Sequence, residues 1–390
     1  MQKMKNETPF LKKKNSREKV IVFLICALGV AVGQAVPGED KDNPFAWYGD
    51  LRLRYEADFD SEKIDRSEVD DRNRGRIRAR VGANYQVNPD VKIGARLRTG
   101  DSRSQQSPHL TFVNDQNVDN DDLDFVLDKL FVGYNREVCQ AWVGRNSFPF
   151  WKQNELFWDD DVALTGTSAS FTHETNGSLT ATVGAFMLPD GGYDMHGQMG
   201  AGQLKYSVGL ANDVNFIGAA GLFCMSGDGG STNLRNGNGD REYTTGAVNF
   251  QLKCQLGDVP VSLGTDVYHN FKDYDVTSSD AYAAEHRDQD FGCVYSVVFG
   301  ELQTHGDWLL GYYYANIGAL AVNASYAQDD WFRFGGRNGQ TDSSDFRGHE
   351  LRLAYAIRQD LNLVSRLYIV DRITNPQKGK RFRIDLNWTF

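Results

Sequence analysis

The sequence of 390 residues predicts an all-β fold: a transmembrane antiparallel β-barrel of sixteen strands, with short periplasmic turns and long extracellular loops. Three observations predict it. The last ten residues alternate, with Phe382, Ile384, Leu386, Trp388 and Phe390 set against Arg381, Arg383, Asp385, Asn387 and Thr389. A period of two puts all the apolar side chains on one face of a strand. The same alternation recurs from Gly49 onward, and the connections between the runs sort into two lengths.

Composition bounds the alternatives. A formal net charge of -10 disfavours nucleic acid as a partner. Mean hydropathy of -0.50 excludes a helical membrane protein but not a barrel, in which only alternate strand residues meet lipid. Gly 39, Phe 23, Tyr 17 and Trp 7 against Pro 9 suit many strands better than many helices. A soluble protein of two β-sandwiches explains the alternation, but not the two-length connections and the aromatic-ended final strand together.

The N-terminus reads as a secretory signal over residues 1–35. Lys12, Lys13, Lys14, Arg17 and Lys19 precede an apolar run from Val20 to Val32, and Gly33-Gln34-Ala35 offers small residues for cleavage after Ala35. The run is short for a membrane-spanning helix. Ile25 is too bulky before Cys26 for lipidation. Residues 36–48 are expected to be a periplasmic lead-in and 49–390 the barrel. Cys139, Cys224, Cys254 and Cys293 are far apart with no CxxC pair, so they are expected to be isolated buried thiols rather than metal ligands.

In chain order, Leu51, Leu53 and Tyr55 alternate with Arg52 and Arg54. Ile77, Ala79, Val81, Ala83 and Tyr85 alternate with Arg76, Arg78 and Arg80. After Asn88-Pro89-Asp90, Val91, Ile93, Ala95 and Leu97 alternate with Lys92, Arg96 and Arg98, and Leu351 to Arg358 repeats the pattern. Short turns fall near residues 88–90, 135–137, 176–177, 212–213, 257–258, 305–307 and 358–360. Long polar stretches are expected at 60–73, 100–122, 146–164, 189–201, 227–241, 272–288, 317–345 and 374–380. Seven turns and eight loops join sixteen strands, with both termini on the turn side. Ile317–Ala327 is apolar enough for a strand, but an odd total would follow, so it is assigned to a loop, with packing inside the lumen as the alternative.

The segment Trp47–Glu56, the ladder Arg74-Gly75-Arg76-Ile77-Arg78-Ala79-Arg80 and the segment Gly306–Tyr312 resemble the bacterial putative-porin family of outer-membrane channels. That resemblance implies a sixteen-stranded general or weakly selective porin.

The arginine rows carry the sharpest functional signal. Arg52, Arg54, Arg76, Arg78, Arg80, Arg96 and Arg98 share the polar face of three successive strands, and closure adds Arg381 and Arg383, with Arg352 and Arg366 as an extension. Each would cost about 2–4 kcal/mol facing mid-bilayer lipid, so they must face water. A basic wall of this kind favours anions; the alternative is a solvated face with structural ion pairs to loop carboxylates and little selectivity. Acidic loops carrying Asp121, Asp122 and Asp124, or Asp159, Asp160 and Asp161, are candidates to fold in opposite it, and the resulting transverse field would orient dipolar solutes. The loop 146–161, with Phe148, Phe150, Trp151, Phe157 and Trp158, is expected to pack on the inner wall as a constriction rather than to line a path for sugars or aromatic solutes. The implied partners are outer-membrane lipids, small hydrophilic solutes and, through the strand ending in Phe390, the barrel-assembly machinery; barrels of this width often form homotrimers. Flux down a gradient needs no cofactor. An adhesive or structural barrel is the main alternative. A barrel enzyme is a weaker one, since the seven histidines are scattered without a Ser or Cys in catalytic spacing.

Overall fold

A computed structural model describes residues 43–102, 104–116, 121–189, 195–210, 213–227, 241–276, 280–333 and 343–390. The expected signal segment, residues 1–35, lies outside the described residues. Sixteen strands close into one antiparallel ring. In order they are β1 Phe45–Glu62, β2 Arg72–Asn88, β3 Val91–Thr99, β4 Phe125–Arg136, β5 Cys139–Asn146, β6 Leu164–Glu174, β7 Ser178–Pro189 and β8 Met195–Gly209. There follow β9 Asn215–Ser226, β10 Tyr243–Leu256, β11 Val259–Asn270, β12 Phe291–Gly300, β13 Trp308–Ile317, β14 Phe346–Arg358, β15 Leu361–Arg372 and β16 Lys378–Thr389. Each strand pairs with the next, and β16 pairs with β1 from Asp50↔Thr389 to Glu62↔Lys378, so the ring has no free edge.

The alternation sorts as a barrel requires. On β16, Arg381, Arg383 and Asp385 are buried in the interior, while Phe382 and Ile384 are partly exposed on the outside. Val81, Leu97, Leu204, Leu222, Leu263, Leu310 and Leu351 are exposed large apolar side chains, as residues facing lipid should be. The chain's last residue is tied in: Phe390 N–H donates to Gly49 C=O at 3.0 Å, and Gly49 N–H to Phe390 C=O at 2.8 Å. A Cβ at Gly49 would sit 2.5 Å from the Phe390 ring, so this close approach requires glycine.

Several boundaries differ from expectation. Pairing runs back to Phe45, opposite Tyr85, so β1 starts upstream of Gly49. The strand after Pro189 begins at Met195 rather than after Ala201, because a register shift between Met195 and Gln198 lets Gly197 continue the ladder at φ +75°. The four cysteines among the described residues are free, but only Cys293 is buried; Cys139 and Cys254 are partly exposed and Cys224 is exposed, which corrects the expectation of buried thiols. Their strands place them where alternation, not a core, decides exposure.

Among the described residues two short strands lie outside the ring: Glu68–Val69 pairs with β1, and Leu110–Asn114 pairs with β2. Among the described residues there is one short helix, α1 Ala281–Glu285, with Asp280 accepting from the Ala283 N–H at its start. The segment 318–333 forms no strand. It folds into the lumen, with Ala319, Leu320, Ala321, Val322, Tyr326 and Ala327 buried.

Candidate functional site

The interior is divided between an ionic wall and an apolar wall. The ionic wall spans β1, β2, β3, β15 and β16. The inward face of β1 reads Asp50, Arg52, Arg54, Glu56, Asp58, and its two neighbours carry arginines at matching rungs. Asp58 sits between Arg72 at 2.7 Å and Arg381 at 2.6 Å. Glu56 sits between Arg74 and Arg383, the latter at 2.6 Å. Asp50 takes Arg78 at 2.8 Å and Arg80 at 2.6 Å. Arg54 is paired with Asp385 at 2.6 Å, which also takes Arg366 at 3.2 Å, and Arg96 is paired with Asp128. Arg98 donates to the Ser104 carbonyl at 2.9 Å and approaches Asp128 at 3.8 Å. These ions are largely desolvated, and bidentate guanidinium–carboxylate geometry is what makes such pairing tolerable.

The apolar wall is the inward face of β7 to β13. Phe186, Leu188, Met199, Phe223, Tyr268, Val294 and Tyr313 are buried there. The loop 147–163 lays Phe150, Leu156, Phe157 and Trp158 onto it. Phe157 stacks on Tyr268 with ring centroids 5.4 Å apart, and Phe148 stacks on Trp158 at 4.9 Å. The loop 318–333 joins from the other side. Tyr326 stacks on Trp158 at 5.0 Å, Asp159 N–H donates to Tyr326 C=O at 2.7 Å, and Gln328 N–H to Glu155 C=O at 2.9 Å. A third segment braces the second: Gln105 Nε2 donates to Ser325 C=O at 3.0 Å and Gln106 Nε2 to Ala324 C=O at 3.1 Å. Three loops therefore form one body that narrows the lumen.

This body is clamped to the ionic wall. Asp161 accepts from Arg80 at 2.7 Å and Arg78 at 3.2 Å, and Asp330 takes Arg383 at 2.5 Å and Arg54 at 3.5 Å. Burial alone would raise the Asp161 carboxyl, but Arg78 and Arg80 outweigh it and hold it at about 2. Asp330 is likewise pulled far below the usual range by Arg383 and Arg54 against the effect of burial. Asp159 has no such cation; burial, Glu155 and Asp161 push it well up. Burial works against the Lys152 ammonium, yet Glu155 and Asp160, the latter at 2.6 Å, hold it charged.

Two cavities border the loop body, and Phe148 lines both. One, of about 380 Å³, is lined by Trp151, Lys152, Glu155, Asp160, Tyr313, Trp331, Glu350, Arg352 and Arg366. The other, of about 450 Å³, is lined by Lys92 and Lys129 among Asn84, Asn135, Gln140, Asn146, Ser147, Ser168 and Ser170.

The structure thus brings Arg52, Arg54, Arg76, Arg78, Arg80, Arg96, Arg98, Arg381 and Arg383 onto one inner face. It does not leave them a bare basic surface. Asp50, Glu56, Asp58, Asp128 and Asp385 interleave with them, and the same period of two that picked out the arginines marks these carboxylates too. Of the acidic candidates, Asp161 meets the wall, Asp160 meets Lys152, and Asp159 is buried between the loops. Asp121, Asp122 and Asp124 are exposed before β4, and Asp121 accepts from the Thr111 N–H at 2.6 Å instead of facing the arginines. Asp330 carried no sequence signal, since only the inward fold of its loop brings it to Arg383.

Residues 64–199 match the family model described as "Putative porin". No curated protein matches the sequence. Among solved structures, OprB of Pseudomonas putida at high pH is similar with a TM-score of 0.57 at 14% identity, covering 90% of this chain and 95% of that one. OmpF of Salmonella typhi, solved in complex with daunomycin, is similar with a TM-score of 0.53 at 13% identity, covering 91% of this chain and 100% of that one. At these identities the likeness is one of fold: the chain has the sixteen-strand architecture of outer-membrane porins. With the family match over β2 to β7, it is a barrel of the bacterial outer membrane.

Proposed function

We propose that this porin-type barrel is a passive diffusion channel for small hydrophilic solutes with a preference for anions. The observation that carries the reading is the cavity of about 450 Å³: its lining holds Lys92 and Lys129 and, among the described residues, no carboxylate. A solute entering there meets a positive potential, sharpened by low-dielectric walls. Beyond it stands the arginine wall, whose cations exceed their carboxylate partners, since Arg52 and Arg76 pair with none among the described residues.

One observation favours a second selectivity. In the cavity of about 380 Å³, Lys152, Arg352 and Arg366 are mixed with Glu155, Asp160 and Glu350. Such a balanced field orients dipolar solutes rather than choosing a sign. Outer-membrane lipid outside, the assembly machinery acting on the strand that ends in Phe390, and a homotrimer are the proposed partners.

The test is single-channel conductance of the refolded chain from residue 36 to 390 under a salt gradient. Discrete steps with an anion-favouring reversal potential support the proposal. A cation-favouring potential overturns the selectivity and leaves the channel. Silence from a folded barrel overturns the channel and favours the adhesive or structural alternative.

A further inference from the structure

At the centre of the ionic wall four arginines form a square. Register sets Arg52 opposite Arg78 and Arg54 opposite Arg76, on the same face. Arg54 and Arg78 have carboxylates, Asp385 at 2.6 Å and Asp50 at 2.8 Å. Arg52 and Arg76 have neutral partners: Arg52 donates to Asn387 Oδ1 at 2.7 Å, and Arg76 to Ser107 Oγ at 2.8 Å. The carboxylates acting on them from nearby are already engaged: Asp385 by Arg54 and Arg366, Asp161 by Arg78 and Arg80, and Glu56 by Arg74 and Arg383.

His109 closes the square from the loop side. The Ile77↔Leu110 pairing brings it beside Arg78, and Arg54, Arg76, Arg78 and Arg52 all bear on it. It is only 6% exposed, and its Nε2 is buried without a hydrogen-bond partner, as are the Nε atoms of Arg76 and Arg78. Burial, reinforced by these guanidiniums, holds its imidazole well below the usual histidine range.

A guanidinium does not shed its proton, so burying two without counter-charge is costly. Water can satisfy the orphan donors but cannot supply the missing charge. An anion does both, and the planar guanidinium fork matches a trigonal or tetrahedral oxyanion better than a spherical ion. Arg52 is half-buried, which leaves an approach from the lumen. We propose that Arg52, Arg76 and His109 form a binding site for one small oxyanion of the phosphate or carboxylate class. The site does not depend on conduction through the lumen.

Calorimetric titration of the refolded chain from residue 36 to 390, in detergent, with inorganic phosphate or acetate at constant ionic strength, tests it. Saturable uptake of one oxyanion per chain is expected, weakened about tenfold or more in Arg76→Gln and in His109→Ala, as loss of a charge-assisted contact implies. Arg136→Gln, at the exposed end of β4, should bind as wild type. Arg76→Gln removes a buried unpaired cation, so its melting temperature should rise in buffer free of both oxyanions. Phosphate alone or acetate alone obeying this pattern supports the site and names its source. Binding of chloride in preference to both oxyanions, no saturable binding, or binding undiminished in both variants overturns it. If Arg76→Gln does not fold, His109→Ala carries the test.

Discussion

Asp161, on a loop, receives the Arg80 guanidinium of β2 at 2.7 Å, and through this contact the body that narrows the lumen is held against the barrel wall. Arg78 and Arg80 keep Asp50 when Asp161 is neutralised, so the change removes the loop's charge-assisted hydrogen bonds, worth about 1.5–3 kcal/mol, without stranding a cation. Asp161→Asn is therefore expected to loosen the loop without opening the barrel. In single-channel records it should show frequent sub-conductance transitions where wild type is steady. Unchanged noise, with the barrel folded, would place the restraint elsewhere.

The same contact sets an acid limit. The Asp161 carboxyl is held at about 2, below the ordinary aspartate value near 3.9. Its folded pKa is depressed, so the stabilisation is fully present above pH ~4 and is lost as pH falls through about 2. Conductance should be flat with respect to this tether from pH 7 to pH 4 and become unsteady near pH 2. A transition centred above pH 5 that persists in Asp161→Asn would belong to another group.

Trp158 is fully buried between Phe148 and Tyr326 and donates its Nε1–H to Val162 C=O at 3.1 Å. Trp158→Ala leaves a large void and breaks two stacks, for a loss of about 3–5 kcal/mol of local stability. The ring of sixteen strands does not pass through this residue. Heat-modifiability of the barrel should persist, while single-channel conductance rises and tryptic cleavage within 147–163 accelerates.

Charge at the lysine-lined cavity is open to a direct test. A unit charge a few ångström from a permeating ion is worth about 1 kcal/mol in water, or roughly fivefold in relative permeability. Lys92→Gln with Lys129→Gln should move the reversal potential toward cations. Lys205→Gln, on β8 away from this lining, should leave it in place.

Period-two alternation was enough to find the strands, because the bilayer forces every second residue to be apolar wherever a strand meets lipid. Phe382 and Ile384 declared the outside of β16 as clearly as Arg381 and Arg383 declared its inside. The aromatic crowd from Phe148 to Trp158 likewise announced a buried loop, since such residues in a polar connection must find an apolar surface. The same alternation placed Asp50, Glu56 and Asp58 on the inner face with Arg52 and Arg54, yet their meaning depended on register, which pairs Glu56 with both Arg74 and Arg383.

The strand number needed the even-count rule for such barrels, but the sequence by itself determined the barrel, which face is wet and the side of the chain that carries arginine. Those follow from local chemistry repeated along each strand. The tertiary structure alone decided that the arginines are interleaved with carboxylates, that Asp330 and Asp161 reach across to them, and that Asp121, Asp122 and Asp124 do not. Asp330 and Arg383 are 53 positions apart, and nothing in either segment's own pattern records that the loop 318–333 turns inward. Long-range ion pairing is set by where the loops come to rest, and that resting place is fixed by the apolar seat that β7 to β13 offer to Phe157 and Trp158.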